Sequence, residues 1–119
     1  NMIIDRKNYL KTVRVELGKE LGGDSPADAY FIMREPTTLE WAEIQEASAE
    51  KKESIIIKRL KEIFPALIIE HNIYSDKTTQ YSNAEAVEIV FGKIDAALKV
   101  INDYIMAVKN PLAKASDEK

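Results

Sequence analysis

The hydrophobic and polar positions of this chain change period along its length, and each period predicts a different element. Residues 12–17 alternate strictly, with Val13, Val15 and Leu17 on one face and polar side chains on the other. A period of two is typical of a half-buried strand. Turn-forming residues follow at 18–26, and residues 29–33 are a second β-rich run. We predict that the two runs pair as a β-hairpin across a long loop.

A capping box predicts the start of the first central helix. Thr37 is followed three residues later by Glu40, so each side chain can bond to the other residue's backbone N–H. Leu39, Trp41 and Ala42 are the apolar residues of the first turns. We expect these three side chains to form the buried side of the helix.

A second central helical segment follows a break. Residues 46–54 have little apolar periodicity, whereas Ile56, Leu60 and Ile63 resume a spacing of four and three. Pro65 ends the pattern because proline cannot continue a helix. Two separate helices and one bent helix fit this pattern equally well. Residues 66–81 are predicted to be a connection.

The longest amphipathic segment is predicted for residues 82–108. Ser82 and Glu85 form a second capping box at its start. Apolar residues then recur at alternating spacings of four and three, which places them on one helical stripe. The stripe consists of Val87, Phe91, Ile94, Leu98, Ile101, Ile105 and Val108. We favour a role in the core of the domain over a coiled-coil seam, because Val90, Ala97 and Tyr104 widen the stripe. Partial exposure for self-association stays open.

These elements predict a mainly helical α+β fold with a small N-terminal β-hairpin, two central helical segments and a long C-terminal helix. The chain has 119 residues, which suits a single domain. We place that globular domain at residues 1–111 and a mobile polar tail at 112–119. The net charge of −3 disfavours a nucleic-acid partner, and the chain contains no cysteine. No apolar stretch approaches the length of a membrane span, and no signal segment is evident.

Candidate catalytic and metal-binding groups are sparse. The single histidine, His71, stands beside Glu70, but no nucleophile completes a catalytic arrangement, so we predict a solvated or hydrogen-bonded loop residue. Carboxylates at 40, 43, 46 and 50 have the spacing of a solvated helix face. The basic residues between 51 and 61 are interleaved with glutamates, which favours intrahelical charge pairs over phosphate binding. We therefore expect no enzymatic activity and no cofactor.

Three stretches in order resemble a known family. They are "YFIMREPTTLEW" at 30–41, "FPALIIEHNIYSD" at 64–76 and "QYSNAEAVEIVF" at 80–91. A strand that ends in an Arg-Glu-Pro-Thr element precedes a capped helix, an apolar connection follows, and a second capped helix closes the order. This arrangement is similar to that of the small tail assembly chaperones of long-tailed bacteriophages and prophages.

The resemblance implies a non-enzymatic cytoplasmic protein that binds the helical tape-measure protein, helps recruit tail-tube subunits and leaves before the virion is complete. It also implies self-association, and in many members a longer form made by ribosomal frameshifting. The alternative is a structural or adaptor protein, such as a minor tail component, that stays in the particle. From size and apolar character we select six candidate partner-binding residues. They are Trp41, Phe64, Phe91, Ile94, Leu98 and Ile101.

Overall fold

The fold contains a small antiparallel sheet of three strands. A computed structural model of the protein describes residues 2–5, 9–21 and 29–109. Strands β1 (Thr12–Glu16), β2 (Tyr30–Arg34) and β3 (Ile68–His71) lie in the order β1-β2-β3. The predicted hairpin is confirmed, since β1 and β2 pair antiparallel. The alternation in β1 buries Val13 and Val15 and leaves the polar residues exposed.

The third strand was not expected, because residues 66–81 read as a connection. The segment Ile68–His71 buries its two end residues and exposes the two between them. A register shift between Ile32 and Met33 of β2 breaks the alternation at this point. A strand of four residues without a period of two has no clear sequence signature.

Two separate central helices follow β2, which decides between the two separate helices and the one bent helix that the sequence pattern allowed equally. They are α2 (Thr38–Ser48) and α3 (Glu53–Ile63), and the short 3-10 turn Phe64–Leu67 follows α3. A further short helix, α1 (Gly18–Leu21), occupies part of the segment expected to be turn. The predicted buried side of α2 is correct only for Trp41, which is partly buried against the core. Leu39 and Ala42 are exposed, and Ile44 and Ala47 face the core instead.

The C-terminal amphipathic segment is divided into two helices, α4 (Asn83–Phe91) and α5 (Ile94–Lys109). The break occurs at Gly92, where the backbone N–H of Lys93 bonds to the carbonyl of Val90 at 3.2 Å instead of continuing the i to i−4 series. The long C-terminal helix is confirmed, but it begins at Ile94. The seven predicted stripe residues therefore do not lie on one continuous helix.

The core lies where α4 and α5 pack against the sheet and the turn after α3. Phe64 is its aromatic centre, with edge-to-face ring contacts to Phe91 at 5.7 Å and to Tyr104 at 5.3 Å between centroids. Ala96 and Ala97 are fully buried on α5, and such small side chains let a helix lie close to its neighbours. The predicted polar tail at 112–119 lies outside the described residues.

Candidate protein-binding surface

One side of α5 carries apolar side chains that the core leaves exposed or only half covers. Successive residues of a helix turn by about 100°, so Ile94, Leu98 and Ile105 lie within about 40° of one another around the axis. The centre of the buried face, marked by Val100 and Tyr104, is roughly a third of a turn away. Ile94 is 52% exposed, and Leu98 and Ile105 are half-buried. We call these three residues the α5 ridge.

The α5 ridge borders a groove between α2 and α5, because Ile105 belongs to both. Trp41 and Ile44 of α2 supply the facing apolar walls, and Lys109 closes one side. The groove, termed the α2–α5 groove, has a volume of about 250 Å³. Its lining residues are Trp41, Ile44, Gln45, Ser48, Ala49, Ile105 and Lys109. An apolar floor with polar sides can accept an apolar side chain of a partner.

The first turn of α2, which carries Trp41, is fixed by a bidentate ion pair. The Nη1 and Nη2 atoms of Arg34 donate to the two carboxylate oxygens of Glu40 at 2.7 and 2.9 Å. Glu40 also accepts from the backbone N–H of Thr37 at 2.9 Å, while Thr37 Oγ1 accepts from Glu40 N–H. The hydrogen bonds from Arg34 hold the pKa of the Glu40 carboxyl down at about 2. Glu40, which precedes Trp41 in the sequence, therefore fixes the helical turn that carries the Trp41 side chain.

The same arginine links α5 to β2 through its backbone. The hydroxyl of Tyr104 donates to the carbonyl oxygen of Arg34 at 2.7 Å, across 70 residues of sequence. Burial raises the pKa of the Tyr104 hydroxyl, so it stays protonated and able to donate. Arg34 Nη2 also donates to the carbonyl of Ala66 at 3.2 Å. The Arg-Glu-Pro-Thr element thus connects β2, α2, α5 and the turn after α3.

The six residues predicted to bind a partner divide into two groups. Three are buried, with at most 8% of the residue surface exposed: Phe64, Phe91 and Ile101. Their side chains pack in the core, so the structure removes them from the candidate surface. Three reach the surface: Trp41 in the α2–α5 groove, and Ile94 and Leu98 on the α5 ridge. Sequence reasoning placed Ile105 on the stripe but not among the binding residues, and it missed the positioning roles of Arg34 and Tyr104.

His71 is a buried strand residue with both ring nitrogens engaged, so the prediction of a loop position is wrong. Its Nδ1 accepts from the backbone N–H of Ile73 at 3.0 Å, which requires Nε2 to carry the proton that it donates to the carbonyl of Tyr81 at 2.9 Å. Burial lowers the pKa of the imidazole, which keeps it neutral. Within the described residues, no group of three or more His, Asp and Glu side chains is placed to hold a metal ion.

The basic side of α3 is tied to acidic residues of the preceding helix and loop. Arg59 contacts Glu46 at 3.2 Å and Glu50 at 3.3 Å. Its ion pairs therefore join α3 to the preceding helix and loop, and the prediction of intrahelical pairs is wrong for this residue. Such exposed pairs contribute little to stability, but they neutralise the positive charge locally. This arrangement gives a mixed-sign surface instead of a continuous basic track.

None of the helices in the described ranges combines the length and apolar character needed to cross a membrane. Comparison with protein families, with curated proteins and with solved structures finds no match for this chain.

Proposed function

We propose that this protein is a non-enzymatic tail assembly chaperone of a long-tailed bacteriophage or prophage. In this role it binds the tape-measure protein in the cytoplasm of the bacterial host and helps recruit tail-tube subunits. It then leaves before the virion is complete. The proposal rests on the order of the three motifs at residues 30–41, 64–76 and 80–91, and on an apolar surface that suits a helical partner.

The observation that carries the proposal is the α5 ridge. Ile94, Leu98 and Ile105 follow the spacing of a helix face, and yet the centre of the buried face lies to one side of them, with only the edge of the core reaching Ile105. A helical partner with an exposed apolar face can lie along such a ridge and insert a side chain into the α2–α5 groove beside Trp41. A tape-measure protein exposes apolar helical surface before the tail tube encloses it, and covering that surface keeps it soluble.

The test is co-expression with the tape-measure and tail-tube proteins encoded beside the gene, followed by co-purification and light scattering. We expect a soluble complex with a tape-measure protein that aggregates when expressed alone. Absence of a complex, with this protein recovered free beside insoluble tape-measure protein, contradicts the proposal. Analysis of finished particles separates a chaperone, which is absent from them, from an adaptor or minor tail component, which remains.

Two matched variants locate the binding surface. Ile94→Asp places a charge on the α5 ridge, and Met106→Asp places the same charge at an apolar residue of α5 that is 63% exposed. Met106 lies roughly a quarter turn or more from the ridge residues around the helix axis. We expect Ile94→Asp to lose the complex and Met106→Asp to keep it. Retention or loss of the complex in both variants contradicts binding through the ridge.

A further inference from the structure

The sheet has one edge whose backbone groups face outward. The backbone N–H of Leu17 donates to Ala29 at 2.8 Å, and that of Glu35 donates to Lys11 at 2.7 Å. These two bonds show that the odd-numbered residues of β1 exchange hydrogen bonds with β2. The N–H and C=O groups of residues 12, 14 and 16 therefore point away from β2, where the described part of the chain places no further strand.

The opposite edge of the sheet is closed by side chains. On β3, the carbonyl of Ile68 accepts from Nδ2 of Asn83 at 3.0 Å, and that of His71 accepts from Nε2 of Gln80 at 2.6 Å. Side-chain amides thus occupy positions that a neighbouring strand would need. The contrast between the two edges makes β1 the place where another strand can add.

Residues 2–5, at the start of the described chain, do not supply that strand. Met2, Ile3 and Ile4 are 83%, 94% and 60% exposed, which excludes packing of these side chains along the sheet. A strand that bonds to the outward N–H and C=O groups of β1 must therefore come from elsewhere. The charged side chains beside those groups indicate which strand fits.

The solvent face of β1 carries one positive and one negative residue two positions apart. Arg14 Nε donates to Glu16 Oε1 at 2.6 Å, and the Arg14 guanidinium lies 4.1 Å from the centroid of the Tyr30 ring. Both charged side chains are about half exposed, at 50% and 58%. A +/− pair at positions i and i+2 of an edge strand is complementary to itself when the strand direction is reversed.

We propose that β1 pairs antiparallel with β1 of a second copy, with Arg14 opposite Glu16 of the second copy and Glu16 opposite its Arg14. This register joins the outward N–H and C=O groups of both residues and places Val15 at the two-fold axis. Two three-stranded sheets become one continuous sheet. In the alternative register, Arg14 of one copy lies opposite Arg14 of the other. This places like charges together, so the register is disfavoured. The pairing does not depend on the proposed chaperone function, since it uses β1 instead of the α5 ridge.

Disulfide trapping tests the register directly, because the natural chain contains no cysteine. Arg14→Cys and Glu16→Cys are prepared with tags of different size, mixed and oxidised. Residues directly opposite in a hydrogen-bonded antiparallel pair have Cα atoms about 5.5 Å apart, which a disulfide spans. We expect the mixed 14–16 product to predominate over the 14–14 and 16–16 products. The mixed pair also keeps one Arg14 to Glu16 contact, on its other side.

Charge reversal tests the electrostatic part of the proposal by analytical ultracentrifugation. Arg14→Glu places two carboxylates opposite each other at both symmetric positions. It should weaken dimerisation by about tenfold or more, since each pair changes from attraction to repulsion. The double variant Arg14→Glu/Glu16→Arg restores the pairing in the reversed sense and should recover the dimer. Circular dichroism on each variant verifies that the monomer is folded.

Three outcomes overturn the proposal. One is a natural chain that remains monomeric up to about 1 mM. Another is a dimer that is as strong in Arg14→Glu as in the natural chain. The third is a trapping experiment in which the 14–14 product predominates. The same conclusion holds if no disulfide product is more abundant than that of a control variant with cysteine at an exposed site, such as Ser75→Cys. A concentration-dependent dimer that is lost and recovered by the charge changes supports it.

Discussion

The carboxylate of Glu40 accepts hydrogen bonds from both terminal nitrogens of Arg34 and also from the backbone N–H of Thr37, the N-cap residue of α2. The two Arg34 contacts measure 2.7 and 2.9 Å, and the contact from Thr37 N–H measures 2.9 Å. One carboxylate therefore joins β2 to the first turn of α2 and orders the turn that carries Trp41. The stability of α2 and the shape of the α2–α5 groove depend on the same group.

We expect Glu40→Gln to lower the free energy of unfolding by about 1–2 kcal/mol at neutral pH. Glutamine can still cap the backbone N–H of Thr37, so the change chiefly removes the charge that pairs with Arg34. The expected loss of unfolding free energy is no larger because the Arg34–Glu40 ion pair keeps contact with water. Urea unfolding followed by the fluorescence of the single tryptophan, Trp41, measures it. Equal stability of the two proteins would contradict a stabilising role for the ion pair.

The same pair predicts a pH dependence in acid. The pKa of Glu40 is lowered from 4.5 to about 2 on folding, so the unfolded chain binds the proton first. The stability from the pair is present above pH 4.5 and is lost as the pH falls toward 2. The difference in unfolding free energy between the natural protein and Glu40→Gln should shrink over this range. A difference that stays constant from pH 6 to about 3 would contradict this account.

We expect Tyr104→Phe to cost about 1 kcal/mol of stability. The substitution removes the hydroxyl that donates to the Arg34 carbonyl at 2.7 Å, while the ring contact with Phe64 at 5.3 Å remains. Tyr74→Phe is the matched control, because Tyr74 is 49% exposed. The control should change stability by less than about 0.5 kcal/mol. Thermal unfolding compares the two, and equal effects would show that the buried hydrogen bond adds nothing.

His71 predicts a second pH effect, in mildly acidic solution. Burial lowers its pKa below the ordinary value of 6.5, and protonation would replace the lone pair that accepts from Ile73 N–H. The unfolded chain therefore binds the proton more readily, and stability falls as the pH drops below 6.5. His71→Gln cannot titrate, so its stability should vary less with pH between about 7 and 5. Parallel pH profiles for the two proteins would contradict the prediction.

Core and ridge positions on α5 should respond differently to truncation. Val100 is fully buried, so Val100→Ala should cost about 2 kcal/mol through lost contacts and a residual cavity. Ile94 is 52% exposed, so Ile94→Ala should change stability by less than about 1 kcal/mol. Urea unfolding of both variants measures the difference. A larger cost at Ile94 than at Val100 would place the ridge in the core.

Local signals in the sequence predicted the helix starts and the first strand. The capping boxes at Thr37 and Ser82 are both formed, because their geometry involves only residues three apart. The alternation in β1 identified its buried face for a similar reason. The lack of an apolar stripe at residues 46–54 indicated a break or an exposed stretch, but it did not distinguish two separate helices from one bent helix.

Properties set by tertiary contacts were not predictable in the same way. The predicted stripe followed the largest apolar residues, whereas the buried face of α5 is centred on Ala97, Val100 and Tyr104. The small residues Ala96 and Ala97 are fully buried beside these larger side chains, whereas Ile94 is exposed and Leu98 is half-buried. Of the six residues selected as candidates for partner binding, Trp41, Ile94 and Leu98 reach the surface. The groove itself depends on how α2 and α5 lie together, which no local pattern encodes.

The amide caps of Asn83 and Gln80 on β3 also limit how far the sheet can grow. A sheet with two open edges can add strands without end and lengthen into a filament. Here the carbonyls of Ile68 and His71 are already taken, so addition at β1 uses the edge that remains open and then stops. Two side chains at one end of the sheet thus set an upper limit on the stoichiometry of strand-mediated assembly.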